Sequence, residues 1–182
     1  TMTGGEISGN HALTSGGGVA VASENNYRSS FTMSGGTVKE NSLGQEDIVQ
    51  TGLYGGGIYV GSYSEEVRIS GEAEITANSG ASQGGGVHIA GSGKGFFLEG
   101  GRIFENSVDV NNLESHGGGI YCSTVTTISD GEIYGNTAKY DGGGAKLGTV
   151  TMTGGKIYGN TCGRDGGGVR SGAFTMSDAA VI

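Results

Sequence analysis

The chain has 182 residues, including 41 glycines and no proline, and its 18 acidic and 10 basic residues give a formal net charge of −8. This acidity argues against binding to nucleic acid or anionic lipid, since both require basic patches on the protein. No apolar run is long enough to span a bilayer, so we expect no membrane insertion by this segment. The glycine content alone would suit a disordered chain, but the apolar residues keep a regular spacing that disordered chains lack.

The sequence consists of copies of one segment. Towards the C-terminus the copies return at a 24-residue step, from Ile128 to Met152 to Met176 and from Asn136 to Asn160. A period of this size indicates a stacked repeat architecture, in which each copy contacts its neighbours. We therefore expect one domain over residues 1–182, with six repeats and the start of a seventh, and we interpret it as a segment of a longer protein.

In chain order, each repeat carries the same four positions. The first is a Met-type apolar residue: Met2, Met33, Ile69, Leu98, Ile128, Met152 and Met176. Five or six residues later comes a β-branched residue: Ile7, Val38, Ile75, Ile103, Ile133, Ile157 and Val181. Three residues further on stands an asparagine, which numbers the repeats 1 to 6: Asn10, Asn41, Asn78, Asn106, Asn136 and Asn160. A loop then leads to three glycines and a short apolar alternation, with the glycines starting at Gly16, Gly55, Gly84, Gly117, Gly142 and Gly166.

Short strands broken by glycine predict the architecture. One strand is expected around the Met-type position, one around the β-branched position and one after the glycines. A 24-residue repeat is too short for the helix that an ordinary parallel crossover uses. Pairing each strand with its copy in the next repeat satisfies the backbone instead. We therefore predict an all-β fold, a right-handed single-stranded parallel β-helix (solenoid) of about six coils with three short strands per coil.

The columns of equivalent residues have separate structural roles. The apolar columns are expected to face inward and to fill a thin core, and the glycines are expected at a sharp corner that requires positive φ or close backbone approach. We expect the six asparagines to form a structural ladder at a second corner, each amide bonding to the copies above and below it. Because asparagine tolerates left-handed backbone, we also expect these residues to adopt it.

The pairing of G-G-G-[IV] with I-x-x-N resembles the adhesin-like β-helix repeats of bacterial and archaeal surface proteins, including the polymorphic outer-membrane proteins of chlamydiae. Those repeats use G-G-A-[ILV] with F-x-x-N, so this chain has glycine in place of alanine and Ile or Val in place of phenylalanine. The similarity covers nearly the whole chain. It implies a right-handed parallel β-helix in a secreted or surface-displayed, often adhesive, protein.

Two insertions distinguish individual repeats. The loop between asparagine and glycines has five residues in four repeats, but it spans 42–54 in repeat 2 and 107–116 in repeat 4. The insertions leave the same edge about 10 Å apart, because successive strands are spaced by about 4.8 Å. We expect them to wall a groove above the short loop of repeat 3.

The outward position after the glycines is aromatic in the same three repeats. Planar side chains in a row are suitable platforms for sugar rings, and carboxylates on the flanking loops can bond hydroxyl groups. Stacking along a sheet face also stabilises a fold without any ligand, so the aromatic row alone does not establish a site. The predicted ligand-binding residues are Tyr59, His88, Tyr121, Glu46, Asp47, Asp109 and Glu114. For a second aromatic row, Phe104, Tyr134 and Tyr158, we favour plain cross-strand stacking, with a contact surface for another chain as the alternative.

Cofactor and metal sites are not expected. No His or Cys pair has ligand spacing, and the calcium-binding nonapeptide motif is absent. Asp141 and Asp165 precede glycine triplets in adjacent repeats and would stack about 5 Å apart, where they could share a cation, but solvated loop charge is our interpretation. Cys122 and Cys162 fall in different columns two repeats apart, so we expect no disulfide.

Three functions are consistent with the sequence. We expect a non-catalytic scaffold, extracellular or at the cell surface, that displays loops for binding a glycan or a host or neighbouring-cell protein. A pectin-lyase-like lyase or glycoside hydrolase is the alternative, with the insertion carboxylates and His116 as the available acids and bases. A structural stalk is the third. We expect no catalytic residues, because these candidates all fall in loops and no clustered Asp motif appears on a strand.

Overall fold

The computed structural model describes residues 1–22, 28–44, 52–91, 94–108 and 115–182, which form sixteen strands and no helix. In chain order the strands are β1 (Met2–Ser8), β2 (His11–Ala12), β3 (Val19–Val21), β4 (Phe31–Lys39), β5 (Ser42–Leu43), β6 (Ile58–Val60), β7 (Val67–Thr76), β8 (Val87–Ile89), β9 (Phe96–Phe104), β10 (Ser107–Val108), β11 (Ile120–Tyr134), β12 (Thr137–Ala138), β13 (Ala145–Met152), β14 (Lys156–Tyr158), β15 (Thr161–Cys162) and β16 (Val169–Met176). The predicted all-β class is confirmed.

Strands pair in parallel with their copies in neighbouring repeats. The long strands follow the order β1, β4, β7, β9 and β11 in one strongly curled sheet, and β13 and β16 continue from β11. The register keeps equivalent residues together, so that Met33 pairs with Ile69, Ile69 with Leu98, and Leu98 with Ile128. The repeats identified in the sequence are therefore the units that stack in space.

In repeats 1 to 5 the Met-type and β-branched positions lie on one bent strand, where two separate strands were expected. Strand β4 continues from Phe31 to Lys39, and its pairing with β7 shifts register between Met33 and Thr37. Gly36, at φ +88°, lies at this irregularity. A bulge bends a strand without ending it, which explains why the corner does not interrupt the hydrogen bonding.

A strand was missed directly after the asparagine. The segments β2 and β5 pair with each other, and β10, β12 and β15 form a three-stranded sheet. These two-residue strands occupy the start of what was expected to be loop. From these strands Leu43, Val108 and Ala138 form a second, smaller core together with Leu53 and Ala81.

The main core is filled by the predicted apolar columns. Met33, Ile69, Leu98, Ile128 and Met152 are fully buried in the Met-type column. The β-branched column and the first and third residues after the glycines are buried in the same way in repeats 2 to 5. Met176 and Val181 are the last members of the Met-type and β-branched columns. They are 43% and 49% exposed, because no further repeat in this structure covers them.

Each glycine of a triplet has a separate steric reason, which repeat 3 illustrates. Gly84 has φ +68°, in the left-handed region that glycine adopts without strain. A Cβ on Gly85 would lie 2.4 Å from the carbonyl oxygen of Gly118 in the next repeat. A Cβ on Gly86 would lie 3.0 Å from the amide of Asn106. Alanine at the third position would therefore press on the asparagine column.

The asparagine ladder is present. Within it, the Nδ2 of Asn78 donates to the Oδ1 of Asn106 at 2.9 Å and to the main-chain carbonyl of Val38 at 3.0 Å. The Oδ1 of Asn106 also accepts the backbone N–H of Asn78 at 3.0 Å. The same pattern links all six asparagines, and the four central ones are fully buried.

The expectation that these asparagines adopt left-handed backbone is wrong. The residue before each of them does so instead: Gly9, Glu40, Ala77, Glu105, Gly135 and Gly159. None of the six asparagines has a positive φ, and their amides bond to one another from repeat to repeat. Its presence is therefore explained by the side-chain hydrogen bonds rather than by its backbone preference.

Candidate functional site

The triple-glycine turn brings two columns of side chains together on one surface, which we call the turn face. One column consists of the residues immediately before the glycines, which pair from repeat to repeat: Ser15, Tyr54, Gln83, His116, Asp141 and Asp165. The other consists of the outward residues after the glycines: Ala20, Tyr59, His88, Tyr121, Lys146 and Arg170. The chain turns back between these columns, so residues of both contribute to one surface.

The turn face carries a cluster of four rings, Tyr54, Tyr59, His88 and Tyr121, which we call the aromatic stack. The rings of His88 and Tyr121 have centroids 5.0 Å apart and are parallel to within 1°. Tyr59 stacks on the other side of His88 at 5.6 Å and 25°. Tyr54 reaches the same cluster from the first column, 4.6 Å from His88 and 6.2 Å from Tyr59. Such ring pairs contribute about 0.5–1.5 kcal/mol each beyond their burial.

His88 is the centre of the stack and is 3% exposed. Burial lowers the pKa of His88 to about 4, although a hydrogen bond to the main-chain carbonyl of Gln83 acts in the opposite direction. Its Nδ1 is buried without a hydrogen-bond partner among the described residues. The imidazole is therefore neutral at physiological pH. His88 was predicted as an exposed ligand platform, but its place is inside the stack.

The geometry of the stack limits where a ligand can reach it. The three outward rings lie face against face along the strand-stacking direction, so both faces of His88 are covered. Tyr59 and Tyr121 are half-buried. A ligand can contact their edges, or the outer face of a ring at the end of the stack. The sequence predicted the row of rings but not this orientation.

The predicted carboxylates Glu46, Asp47, Asp109 and Glu114 lie outside the described residues, as does most of each insertion. The groove that the insertions were expected to wall therefore remains a prediction. Tyr54 is described, and sequence reasoning missed it. Its position directly before a glycine triplet was the available signal, because the residues at that position form a column of their own.

A cluster of charged side chains, which we call the ionic cluster, continues the turn face beyond the aromatic stack. The carboxylate of Asp141 accepts hydrogen bonds from the Nε and Nη2 of Arg164 at 2.8 and 2.9 Å, and its side chain is 1% exposed. Lys146 Nζ lies 3.3 Å from it and His116 Nδ1 lies 3.4 Å from it. The hydrogen bonds from Arg164, with smaller contributions from Lys146, lower the pKa of Asp141 to about 2.

The interpretation of Asp141 as solvated loop charge is wrong. Its side chain is buried by the turn and needs compensating donors, which Arg164 and Lys146 provide. Asp165 is exposed, and its Oδ2 lies 3.7 Å from the Nε of Arg164. The cation near both carboxylates is therefore a guanidinium of the chain itself. Among the described residues there is no group of three side chains suited to holding a metal ion.

The second aromatic row stacks as predicted. Phe104 and Tyr134 have centroids 4.9 Å apart, and Tyr134 and Tyr158 are 5.1 Å apart, each pair parallel to within 6°. The hydroxyl of Tyr158 donates to Glu132 at 3.4 Å. This row lies on the face after the β-branched column, away from the turn face. Its regular spacing makes it a useful internal control for the aromatic stack.

A depression of about 520 Å³ lies at the strand bulges, lined by glycines together with Thr37, Glu72, Glu74 and Arg102. A Cβ on Gly71 would lie 2.4 Å from the carbonyl oxygen of Ser34, so this glycine is required by the close stacking of the repeats. Glu74 is paired with Arg102. The depression is thus accounted for by packing at the bulges.

No family model, curated protein or solved structure matches this chain. In the part of the chain that the structure describes, no helix has the length and apolar character needed to cross a membrane.

Proposed function

We propose that the chain is a right-handed parallel β-helix in which each repeat forms one coil of a solenoid. Parallel pairing between equivalent residues of successive repeats supports this proposal. The curled sheet and the buried asparagine ladder support it too, because both follow when a chain coils over itself at a constant rise. The right hand is taken from the adhesin-like repeats that the sequence resembles.

We further propose that this β-helix is a non-catalytic, adhesin-type scaffold of a secreted or cell-surface protein that binds a glycan or a protein on a host or neighbouring cell. The observation that carries this proposal is the aromatic stack. Aromatic residues occupy the outward column in repeats 2 to 4 and are replaced by alanine, lysine and arginine in the other repeats. This restriction of the outward rings to three adjacent repeats, two of which carry the long insertions, supports a local binding surface on the turn face.

Binding to a broad glycan array tests the proposal. The wild-type chain is compared with Tyr59→Ala and Tyr121→Ala, and Tyr134→Ala serves as a matched control because it removes a stacked ring from the other face. We expect binding that the first two variants weaken and the control retains. Equal weakening by all three variants would indicate a general loss of stability and would count against the turn face as the site.

The alternatives predict different results in the same assay. A carbohydrate-active enzyme releases shortened or unsaturated products from a bound polysaccharide, so incubation with the bound glycan is followed by product analysis. A structural stalk binds nothing on the array. Binding without product release is the outcome that supports the adhesin-type scaffold, and product release would replace it by the enzyme.

A further inference from the structure

If the proposed glycan-binding function holds, the stack also indicates where the sugar lies. We infer that one neutral pyranose ring of the glycan binds at the open end of the aromatic stack, against the outer face of Tyr59 and above Ala20 and Ser15. In this position the sugar ring continues the row of rings that Tyr59, His88 and Tyr121 form in the next three repeats. The sugar ring would thus occupy the position in repeat 1 that corresponds to the aromatic side chains of repeats 2 to 4.

The strand register defines this place. Ala20 pairs with Tyr59 in the outward column, and Ser15 pairs with Tyr54 in the column before the glycines. Repeat 1 thus has a small side chain at both positions where repeat 2 has a tyrosine. Ala20 is exposed, and a side chain that ends at Cβ cannot cover a phenol ring one strand away.

The stacking geometry turns one face of Tyr59 towards that place. His88 lies on one side of the Tyr59 ring at 5.6 Å and close to parallel. The ring of Tyr54 is closer to the ring of His88, at 4.6 Å between centroids, than to the ring of Tyr59, at 6.2 Å. The face of Tyr59 opposite His88 therefore points to repeat 1, where Ala20 stands.

The other end of the stack is different. Beyond Tyr121 the outward column continues with Lys146, whose long side chain reaches the buried carboxylate of Asp141. A charged and already bonded side chain stands where a ligand ring would have to lie. Among the described residues the two ends are thus not equivalent, and only at the Tyr59 end is the next side chain of the outward column small and exposed.

The chemistry of this place fits an uncharged sugar. A pyranose has a flat face of C–H groups that packs on an aromatic ring, and hydroxyl groups at its rim that need polar partners. Ser15 and the phenols of Tyr54 and Tyr59 offer such partners. The rings of Tyr54 and Tyr59 have centroids 6.2 Å apart, so the two side chains lie on the same part of the turn face. Ser15, Ala20, Tyr54 and Tyr59 include no basic side chain, so a uronic acid has no counter-ion among them.

Filling the place tests the inference. Ala20→Tyr puts a fourth ring where the sugar is expected, and Ala20→Ser is the matched control that keeps the place open. Both variants are measured on the glycan array and by saturation-transfer NMR with neutral cello-, chito- and galacto-oligosaccharides as probes. We expect Ala20→Tyr to weaken binding by about tenfold or more, while Ala20→Ser binds like the wild type. Thermal unfolding shows whether each variant folds.

The outcomes separate the inference from the proposed function. If the wild type binds and Ala20→Tyr binds equally well, the place beside Tyr59 is wrong while glycan binding stands. If the wild type binds no probe, both fail. If Ala20→Tyr does not fold, Tyr59→Leu decides, since it keeps apolar bulk beside His88 but removes the ring. Retained binding by Tyr59→Leu would overturn the site, and lost binding would support it.

Discussion

The residue before each ladder asparagine lies in left-handed backbone, with φ between 53° and 63°. In three repeats this residue is glycine, but repeats 2 to 4 have Glu40, Ala77 and Glu105. A residue with a Cβ costs about 1–2 kcal/mol in this conformation. Repeats 2 to 4 therefore carry local backbone strain at three successive corners, and the other interactions of the fold offset it.

Ala77→Gly is expected to stabilise the protein by about 0.5–1 kcal/mol, because relief of this strain exceeds the added flexibility of the unfolded chain. Ala77 is exposed, so no packing is lost. The reverse change, Gly135→Ala, should destabilise by a similar amount because φ is +63° there. Its Cβ would make only ordinary contacts, to the Cγ of Glu105 at 3.6 Å and to its backbone N at 3.8 Å. Chemical unfolding measures the free energy of unfolding of both variants. If both substitutions change it in the same direction, left-handed backbone strain is not the cause.

His88 makes stability depend on pH. The folded-state pKa is lowered to about 4, against an ordinary value near 6.5, so between these values the unfolded chain binds a proton that the folded chain does not. The contribution of His88 to the free energy of unfolding is therefore fully present above pH 6.5 and is lost as the pH is lowered towards 4. The loss amounts to as much as about 3 kcal/mol.

His88→Phe should remove this pH dependence while it keeps a ring in the stack. The carbonyl of Gln83 still accepts the backbone N–H of Gly55 at 3.0 Å, so it is not left without a partner. Unfolding free energies measured from pH 7 to pH 4 test the prediction. Asp141, whose lowered pKa is about 2, weakens the fold only at more acidic pH, as it becomes protonated. A His88→Phe profile identical to that of the wild type would rule out His88 as the source.

At the scale of elements, β11 shows how the repeats merge. Its fifteen residues join the strand after the glycines of repeat 4 to the long strand of repeat 5, and β13 and β16 do the same for the later repeats. In repeats 1 to 3 the two strands remain separate, as β3, β6 and β8. The shortening of this connection is visible in the sequence. The structure adds that strand pairing continues from the residues after the glycines to the Met-type position of the next repeat.

Thr126 is an energetically unfavourable residue in β11. It occupies a fully buried position between Phe96 and Val150, and its hydroxyl has no hydrogen-bond partner among the described residues. Thr126→Val replaces this hydroxyl by a methyl group and should stabilise the protein by about 1 kcal/mol. Thr127→Val, on the half-buried outward side of the same strand, is the matched control and should change little. Thermal or urea unfolding of the pair gives the comparison, and a loss of stability in Thr126→Val would mean that the hydroxyl is bonded.

At the scale of the whole molecule, the asparagine ladder and the two cores run through all repeats and join them. Each repeat contributes one amide to the ladder, and in repeats 2 to 5 that amide bonds to the asparagines on both sides. A repeat of this kind cannot satisfy its buried polar groups alone. The stack should therefore be sensitive to the loss of a single central amide.

Asn136→Ala tests this sensitivity. It removes the donations to Asn160 and to the carbonyl of Ile103, both at 2.9 Å, and the acceptor of two bonds from Asn106 at 3.0 Å. Because the remaining groups are buried, we expect a loss of about 1–3 kcal/mol. Thr151→Ala, on the exposed side of β13, should have little effect. An unchanged unfolding midpoint for Asn136→Ala would contradict the role of the ladder.

Much of the fold was predictable because a repeated sequence reports its own register. Equivalent residues such as Ile69 and Leu98 pair in space because they are equivalent in sequence. The buried columns and the ladder followed from this equivalence. The bulge that joins two predicted strands and the two-residue strands after the asparagines did not follow, because both depend on where backbone pairing continues around a corner.

The sequence by itself determined the repeat, the inward columns and the row of rings, because these follow from residue type and spacing. Only the tertiary structure decided what the turn face is. It brought Tyr54 against His88, enclosed Asp141 with Arg164 and Lys146, and left Tyr59 facing the small side chain of Ala20. Contacts of this kind depend on how the chain turns at each glycine triplet and on which side chain of the next repeat then lies opposite.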